Sequence, residues 1–500
     1  MGQAEPEVST TAGRVRGRVE HGNAVFRGIP FARPPLADLR FQAPVPPEPW
    51  DGVREATEFG PQAPQMALPG TPGAAEPPQD TTGEWLTVNV WTPDVHARTL
   101  PVMVWIHGGA YLFGSGGPGY DGTPFASSGA VFVSCNYRLG MEGFGHIEGV
   151  PANRGLLDAV AALTWVRQNI ASFGGDPGNV TVFGESAGAG VISALLAMDA
   201  AKGLFRRAIA QSVPGTFFSA ALAGTITEAV AAVAGIPASY EALSRTDPMR
   251  LVAAQMDVNT HMREYLNWGP VRITDTPFSP VVDGEVLTRT PWRALVAGAA
   301  RDVELLTGHN RDEYRLFIAV QGRLGRITDD QANTVLDYFA PAPDGPAGYR
   351  KVYQNADAGG LFEVAFSDWL FRMPTLHLAQ AHAMSGGTTY LYELTAQAPI
   401  GPFGACHALD VPLVFGAYGE GISAMLTGTE PPADFVALGD LMRREWLSFA
   451  ASGRPGWLPY GTEHRTTRVY DLQPDVRSYP EEASMHLWER HMFDALDLPA

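Results

Sequence analysis

A serine flanked by glycines lies at a predicted turn from strand to helix. The stretch VFGESAGAG, residues 182–190, has Ser186 between Gly184 and Gly188, after the strand-like NVTVF and before the helix-like GAGVISALLAM. Larger side chains would clash in so sharp a turn. A G-x-S-x-G pattern in this position holds a serine nucleophile exposed beside a backbone N–H group. The pattern predicts a nucleophilic Ser186, with Glu185 expected either to tune the electrostatics of the site or to cap the turn.

A run of small residues upstream offers donors for a negatively charged oxygen. The stretch WIHGGAYLFGSG leaves a predicted strand at its tryptophan and continues into HGGA. Small residues leave their backbone N–H groups free to face a substrate oxygen, as in the HGGG-type loops of esterases. The predicted donors are the N–H groups of Gly109, Ala110 and Ala187. Gly108 is expected to allow close approach, and His107 to hold the loop.

A general base and a carboxylate to orient it must follow the serine in chain order if the fold is an α/β-hydrolase. GHNRDEY carries Asp312 and Glu313, and GACHALD carries His407 and Asp410. His407 is the predicted base, and all three carboxylates are candidates for the acid. If a helix begins near Arg311, the two adjacent carboxylates point about 100° apart, so only one faces the histidine. Asp312 is then expected to cap that helix and face water.

The elements that position these residues alternate between strand and helix. The segment GLLDAVAALTWVRQNIASFGG has apolar residues at helical spacing and ends in two glycines. Six short apolar runs bounded by Gly, Pro or Asn predict buried strands, namely LPVMVWIHG, AVFVSCNYRL, VTVFGES, FRRAIAQS, VELLTGH and TTYLYEL. We predict an α/β fold with a mostly parallel sheet covered by helices on both faces. Residues 1–500 are expected to form one domain, with cap-like helical insertions at about 225–266 and 327–378.

Composition excludes several classes of partner. The chain has 45% apolar and 18% charged residues and a formal net charge of −18, which argue for a globular protein that binds neither nucleic acid nor an anionic membrane surface. No apolar run is long enough to span a membrane and no secretory leader is recognisable. Cys135 and Cys406 are expected to be buried thiols, which together with the other features predicts a cytoplasmic protein. No metal-ligand spacing or phosphate-binding loop is present, so no cofactor is expected.

The order of these motifs resembles the type-B carboxylesterase family, the cholinesterase-like esterases, and within it the bacterial para-nitrobenzyl esterase group. The resemblance implies an α/β-hydrolase fold and carboxylic-ester hydrolysis, with Ser186 as nucleophile, Glu313 as acid and His407 as base. It also implies that the Ser212 hydroxyl supports these three residues. The segments that carry it are FRGIPFARPP, LTVNVWTP, WIHGGAYLFGSG, NYRLG, NRGLLDAVAALTWVRQNIASFGGDPGNVTVFGESAGA, FSPVVDGE, GHNRDEY and GACHALDVPLVF.

The chain departs from the family pattern in ways that bear on the substrate pocket. Tyr314 replaces the glycine that commonly follows the acid, and Val213-Pro214 replaces the glycine after Ser212. Leu316 and Phe317 lie three and four residues after Glu313, so they share its helical face and are expected to line the acyl side of the cleft.

The expected partner is a small-molecule ester. Two alternatives remain open from the sequence, namely amide or carbamate cleavage by the same residues and a non-catalytic binding function on the same fold. The sequence indicates no particular oligomeric state.

Overall fold

An 11-stranded sheet runs through the centre of the molecule. The computed structural model describes residues 5–67, 83–419 and 421–499. The strands of this sheet are β3 (Arg18–Glu20), β4 (Asn23–Pro30), β6 (Thr87–Thr92), β7 (Leu100–Ile106), β8 (Val131–Cys135), β9 (Gly175–Glu185), β10 (Arg207–Gln211), β13 (Glu304–Asn310), β14 (Thr389–Leu394), β15 (Thr466–Tyr470) and β16 (Asp475–Ser478). Their order across the sheet is β16-β15-β14-β13-β10-β9-β7-β8-β6-β4-β3.

The middle of this sheet is parallel and its edges are antiparallel. From β8 through β7, β9, β10, β13 and β14 to β15, every neighbouring pair is parallel. The pairs β3–β4, β4–β6, β6–β8 and β15–β16 are antiparallel. All six predicted strand runs lie in the parallel part, because strands buried on both faces read as continuous apolar runs.

Helices cover both faces of the sheet. Along β7, Val102 and Val104 pack into one core cluster and Met103 and Trp105 into the other, as the alternation of side chains along a strand requires. The α-helices are α1 (Thr123–Ala126), α2 (Gly140–Phe144), α3 (Arg154–Asn169), α4 (Ala187–Ala197), α5 (Ala220–Val233), α6 (Tyr240–Arg245), α7 (Pro248–Thr260), α8 (Pro291–Val296), α9 (Arg315–Val320), α10 (Asp329–Phe339), α11 (Gly345–Val352), α12 (Ala358–Ser367), α13 (Met373–Met384), α14 (Asp410–Phe415), α15 (Gly421–Thr427), α16 (Ala433–Ser452) and α17 (Glu482–Trp488).

The predicted crossover helix is α3, which leads through a 3-10 turn, Ile170–Phe173, into β9. Helices α5 to α7 occupy the first predicted insertion, and α10 to α13 begin in the second, where a π-helical turn, Asp368–Arg372, joins α12 to α13.

In the described part of the chain, two small sheets lie outside the central one. Their strands are β1 (Glu7–Ser9), β2 (Arg14–Arg16) and β5 (Val53–Glu55) in the first, and β11 (Phe218–Ser219) and β12 (Val281–Val282) in the second. Cys135 and Cys406 are buried free thiols. In the described residues, no helix combines the length and apolar character that crossing a bilayer requires.

Candidate active site

Ser186 lies at the sharp turn between β9 and α4. Its backbone has φ 57° and ψ −124°, a conformation that few non-glycine residues adopt. A Cβ atom at Gly184 or at Gly188 would overlap the backbone oxygen of Ile106 in β7. The two glycines of the motif are therefore required by the close approach of the neighbouring strand, and the predicted steric reason for them is confirmed.

The side chains of Ser186, His407 and Glu313 form one hydrogen-bonded chain. Ser186 Oγ lies 2.8 Å from His407 Nε2, and His407 Nδ1 lies 2.6 Å from Glu313 Oε2. The second carboxylate oxygen of Glu313 accepts hydrogen bonds from Ser212 Oγ at 2.6 Å and from the Asn310 N–H at 2.8 Å. Glu313 is fully buried, and these three hydrogen bonds fix the orientation of its carboxylate. The geometry favours Glu313 over the other two carboxylates as the partner of His407.

Asp312 lies outside this chain, and its predicted role as a helix cap is wrong. Helix α9 begins at Arg315, and among the described residues no side chain caps its N-terminus. Asp312, three residues before this helix, forms an isolated parallel β-bridge with Cys406. Asp312 Oδ2 instead accepts a hydrogen bond from the Ala405 N–H at 2.9 Å. Asp312 therefore holds the loop that carries His407.

Asp410 supports the site from beneath. It is fully buried, and its Oδ2 accepts hydrogen bonds from Gln211 Nε2 at 2.8 Å and from the Tyr392 hydroxyl at 2.7 Å. The backbone oxygen of Gln211 in turn accepts the Ser186 N–H at 2.9 Å. No motif indicated these contacts, because they join residues that lie far apart in the sequence.

Glu185 faces the histidine. Its Oε1 lies 3.0 Å from His407 Nε2, on the same nitrogen that contacts the serine. Burial raises the pKa of Glu185 to about 8, although the nearby imidazolium opposes this. Burial by itself lowers the pKa of His407, but the carboxylates of Glu185 and Glu313 outweigh it and raise that pKa to about 9. Of the two roles expected for Glu185, the geometry favours the electrostatic one.

The loop after β7 lies directly beside the serine. A Cβ atom at Gly108 would be 3.2 Å from Ser186 Cβ. Gly109 and Ala110 adopt positive φ values of 114° and 54°. Within the described residues, neither of their N–H groups donates to a backbone oxygen. Ala187, the third predicted donor, is the first residue of α4, where backbone N–H groups point out of the helix end.

His107 fixes the conformation of this loop. It is fully buried, and burial lowers its pKa to about 4, so the ring is neutral. Its Nδ1 lies 2.8 Å from the Gly108 oxygen, and its ring stacks on Tyr137 at 4.4 Å between centroids. This placement agrees with the structural role expected of His107.

Two aromatic rings contact the imidazole of His407. The centroid of Phe317 lies 5.3 Å from it, and that of Phe371 lies 4.1 Å from it with the planes 26° apart. Leu316 packs instead against the core cluster on the opposite side of the sheet from Phe317, so the expectation that both line one pocket fails for Leu316. Phe371 was missed by the sequence analysis, because the π turn that carries it has no sequence signal.

Tyr314 joins the second helical insertion to the turn that carries Glu313. Its ring stacks on Phe366 of α12 at 3.9 Å between centroids and 8° between planes. Its N–H donates to Ser367 Oγ at 3.0 Å. Tyr314, which departs from the family pattern, thus packs into the second helical insertion.

Comparison with known proteins gives the same family throughout. A model of the carboxylesterase family matches residues 4–488. The para-nitrobenzyl esterase of Bacillus subtilis (strain 168) is 35% identical, over 95% of this chain and 96% of that protein. The phenmedipham hydrolase of Pseudarthrobacter oxydans is 32% identical, over 90% of each chain.

Solved structures agree with these matches. The crystal structure of a carboxylesterase from Geobacillus stearothermophilus superposes with a TM-score of 0.84 at 35% identity, covering 96% of this chain and 99% of that one. The fold is therefore that of the α/β-hydrolases, and the chain belongs to the carboxylesterase family of enzymes.

Proposed function

We propose that this enzyme hydrolyses small-molecule carboxylic esters through an acyl-enzyme intermediate on Ser186. The observation that carries the proposal is the continuous hydrogen-bonded chain from Ser186 through His407 to Glu313. A hydroxyl, an imidazole and a buried carboxylate in this order are the parts that nucleophilic acyl transfer needs.

The first half of the reaction acylates the serine. Ser186 Oγ attacks the ester carbonyl carbon while its proton passes to His407 Nε2. Glu313 accepts the Nδ1–H and stabilises the imidazolium that forms. The carbonyl oxygen becomes negatively charged and is stabilised by the N–H groups of Gly109, Ala110 and Ala187. The tetrahedral intermediate then expels the alcohol, which takes the proton from His407.

The second half releases the acid. A water molecule gives a proton to His407 Nε2 as its oxygen attacks the acyl carbon, and the same N–H groups stabilise the new oxyanion. Collapse of this intermediate returns the proton to Ser186 Oγ and frees the carboxylic acid. No step requires a metal or an organic cofactor, because the imidazole and the backbone dipoles supply the proton transfer and the charge stabilisation.

Apolar acyl groups are the proposed substrates. The rings of Phe317 and Phe371 lie against the imidazole. Phe317 is partly exposed and presents apolar surface to the acyl chain, and the buried ring of Phe371 stacks on the Phe317 ring at 6.2 Å between centroids. Phe371 comes from the second helical insertion, which supports the proposal that this insertion caps the cleft.

In the first insertion, Gln255 Oε1 of α7 accepts a hydrogen bond from the Met141 N–H at 3.0 Å. The preceding Gly140 N–H donates to the oxygen of Tyr111, the residue after Ala110, at 2.7 Å.

Initial rates on p-nitrophenyl esters of graded acyl length test the proposal. We expect hydrolysis by the unaltered enzyme. For Ser186→Ala, whose methyl group fits the same backbone conformation, we expect at most the acceleration of about 10³- to 10⁴-fold over water that binding and the oxyanion donors supply. A matched p-nitroanilide and an aryl carbamate in the same panel test the amide and carbamate alternatives. Unchanged ester hydrolysis by Ser186→Ala would show that a different nucleophile carries the reaction.

A further inference from the structure

The side-chain amide of Gln65 makes two hydrogen bonds with the backbone of Gly114. Gln65 Oε1 accepts the Gly114 N–H at 2.8 Å, and Gln65 Nε2 donates to the Gly114 oxygen at 2.9 Å. The same Nε2 also donates to the Ala63 oxygen at 3.1 Å, which holds the amide in one orientation. Both ends of this amide are therefore occupied, and its direction is fixed.

Gly114 packs directly on the loop that carries the proposed oxyanion donors. It has a positive φ of 106°, and a Cβ atom there would overlap the His107 ring and lie 2.7 Å from the Gly108 oxygen. Gly109, in the same turn, accepts hydrogen bonds from the Leu112 N–H at 3.0 Å and the Phe113 N–H at 2.9 Å. A shift at Gly114 is therefore transmitted to the donor residues through a tightly packed turn.

The end of the loop, at Gly116, is hydrogen-bonded to residues of or next to the central sheet. The middle of the loop, at Gly114, is hydrogen-bonded through Gln65 to a different segment of the chain. Gly116 donates to Asn136 Oδ1 at 2.7 Å, and its oxygen accepts from Asn89 Nδ2 at 2.9 Å. Gln65 belongs to the chain that follows β5, outside the large sheet. It is half-buried, and its side-chain hydrogen bonds within the described residues go to Ala63 and Gly114 and not to Ser186, His407 or Glu313.

We propose that Gln65 is a positioning residue for ester hydrolysis, which holds the N–H groups of Gly109 and Ala110 in the orientation that stabilises the oxyanion. This inference rests on the proposed function. Oxyanion donors act only when they point at the oxygen that develops charge, so their orientation affects the transition state more than the bound substrate. Loss of the Gln65 pair should therefore lower kcat and leave KM nearly unchanged.

Glutamate at position 65 is the sharpest perturbation. Gln65→Glu keeps the size of the side chain and an acceptor for the Gly114 N–H, but it sets a carboxylate oxygen against the Gly114 carbonyl. Misplacement by about 1 Å costs about 10²-fold and loss of one donor about 10²- to 10³-fold. For a shifted rather than deleted donor pair we expect kcat to fall by about 10- to 100-fold.

The experiment compares Gln65→Glu and Gln65→Ala with Gln168→Glu, the same change at an exposed position on the last turn of α3. Gln65→Ala removes both hydrogen bonds without adding charge, so it carries the test if the glutamate variant does not fold. Each variant is assayed for kcat and KM on a p-nitrophenyl ester and for inhibition by an aryl trifluoromethyl ketone. Addition of Ser186 Oγ to that ketone's carbonyl carbon leaves an oxyanion at the same N–H groups.

We expect both Gln65 variants to lose kcat and ketone affinity by similar factors, with KM within about threefold of the unaltered enzyme and with Gln168→Glu unchanged. Unchanged kcat in both variants would overturn the inference. A fall in kcat with full ketone affinity would also overturn it, because the effect would then arise away from the oxyanion. Absence of hydrolysis by the unaltered enzyme would refute the proposed function itself, which is a distinct result.

Discussion

Replacing Glu185 by glutamine removes one of the two carboxylates that contact the imidazole of His407. Glu185 Oε1 lies 3.0 Å from Nε2. At that distance two unit charges interact by about 1.4 kcal/mol even at the dielectric constant of bulk water, and by about four times as much at an effective value of about 20. Since one pKa unit corresponds to about 1.4 kcal/mol, the charge of Glu185 raises the pKa of His407 by at least about one unit.

The sign of the expected change follows from the charge of the Glu185 carboxylate. An ionised Glu185 favours the imidazolium form of His407 and is one cause of the raised pKa of that histidine. Its removal lowers the pKa of the imidazole, and the basic form needed for attack is then present at lower pH. The acid limb of kcat/KM should move down by about one pH unit or more in Glu185→Gln.

The assay is kcat/KM on one p-nitrophenyl ester across pH 5 to 10 at constant ionic strength, since this ratio reports the pKa values of the free enzyme. Glu58→Gln is the matched control, because the Glu58 side chain is 78% exposed and forms a surface ion pair with Arg18. Its profile should match that of the unaltered enzyme. An acid limb that stays in place or moves up in Glu185→Gln would refute the electrostatic role of Glu185.

Further predictions concern the acid and the acyl pocket. Glu313→Gln should lower kcat toward the roughly 10⁴-fold loss seen when a triad carboxylate is neutralised. Asp312→Asn should keep most activity and mainly lower the melting temperature. A large loss of kcat in Asp312→Asn with little loss in Glu313→Gln would make Asp312 the acid. Phe317→Ala should raise kcat/KM for octanoate relative to butyrate esters, because the ring 5.3 Å from His407 would no longer fill the pocket; an unchanged ratio across the series would reject Phe317 as a pocket residue.

The parts of the molecule that could be predicted from sequence are those whose cause is local. The strand β7 is an unbroken apolar run because both its faces are buried, and Ser186 is flanked by glycines because β7 passes too close for a Cβ atom. In the linear order of GESAG, NRDE and CHALD, the serine follows β9, the acid follows β13 and the histidine follows β14, which is the order that the fold requires. Patterns of this kind follow from local backbone requirements, so they can be recognised in the sequence before the fold is known.

The parts that could not be predicted depend on contacts between distant segments. Asp312 forms a β-bridge and is not helical, because it pairs with Cys406, which is far along the chain. Phe371 reaches His407 only because DWLFR, which reads as ordinary helix, forms a π turn. The pairing of Gln65 with Gly114 joins residues 49 positions apart, and no periodic pattern connects them.

Covalent labelling of Ser186 tests the central claim most directly. The enzyme is treated with diethyl p-nitrophenyl phosphate, the remaining esterase activity is followed, and the modified peptide is identified by mass spectrometry. We predict one diethylphosphoryl group per chain on Ser186 and a loss of activity in proportion to labelling. In Ser186→Ala we predict no label at position 186 and no labelling of another residue at a comparable rate. Absence of labelling, or full activity in the labelled chain, would contradict a nucleophilic Ser186 and with it the proposed mechanism.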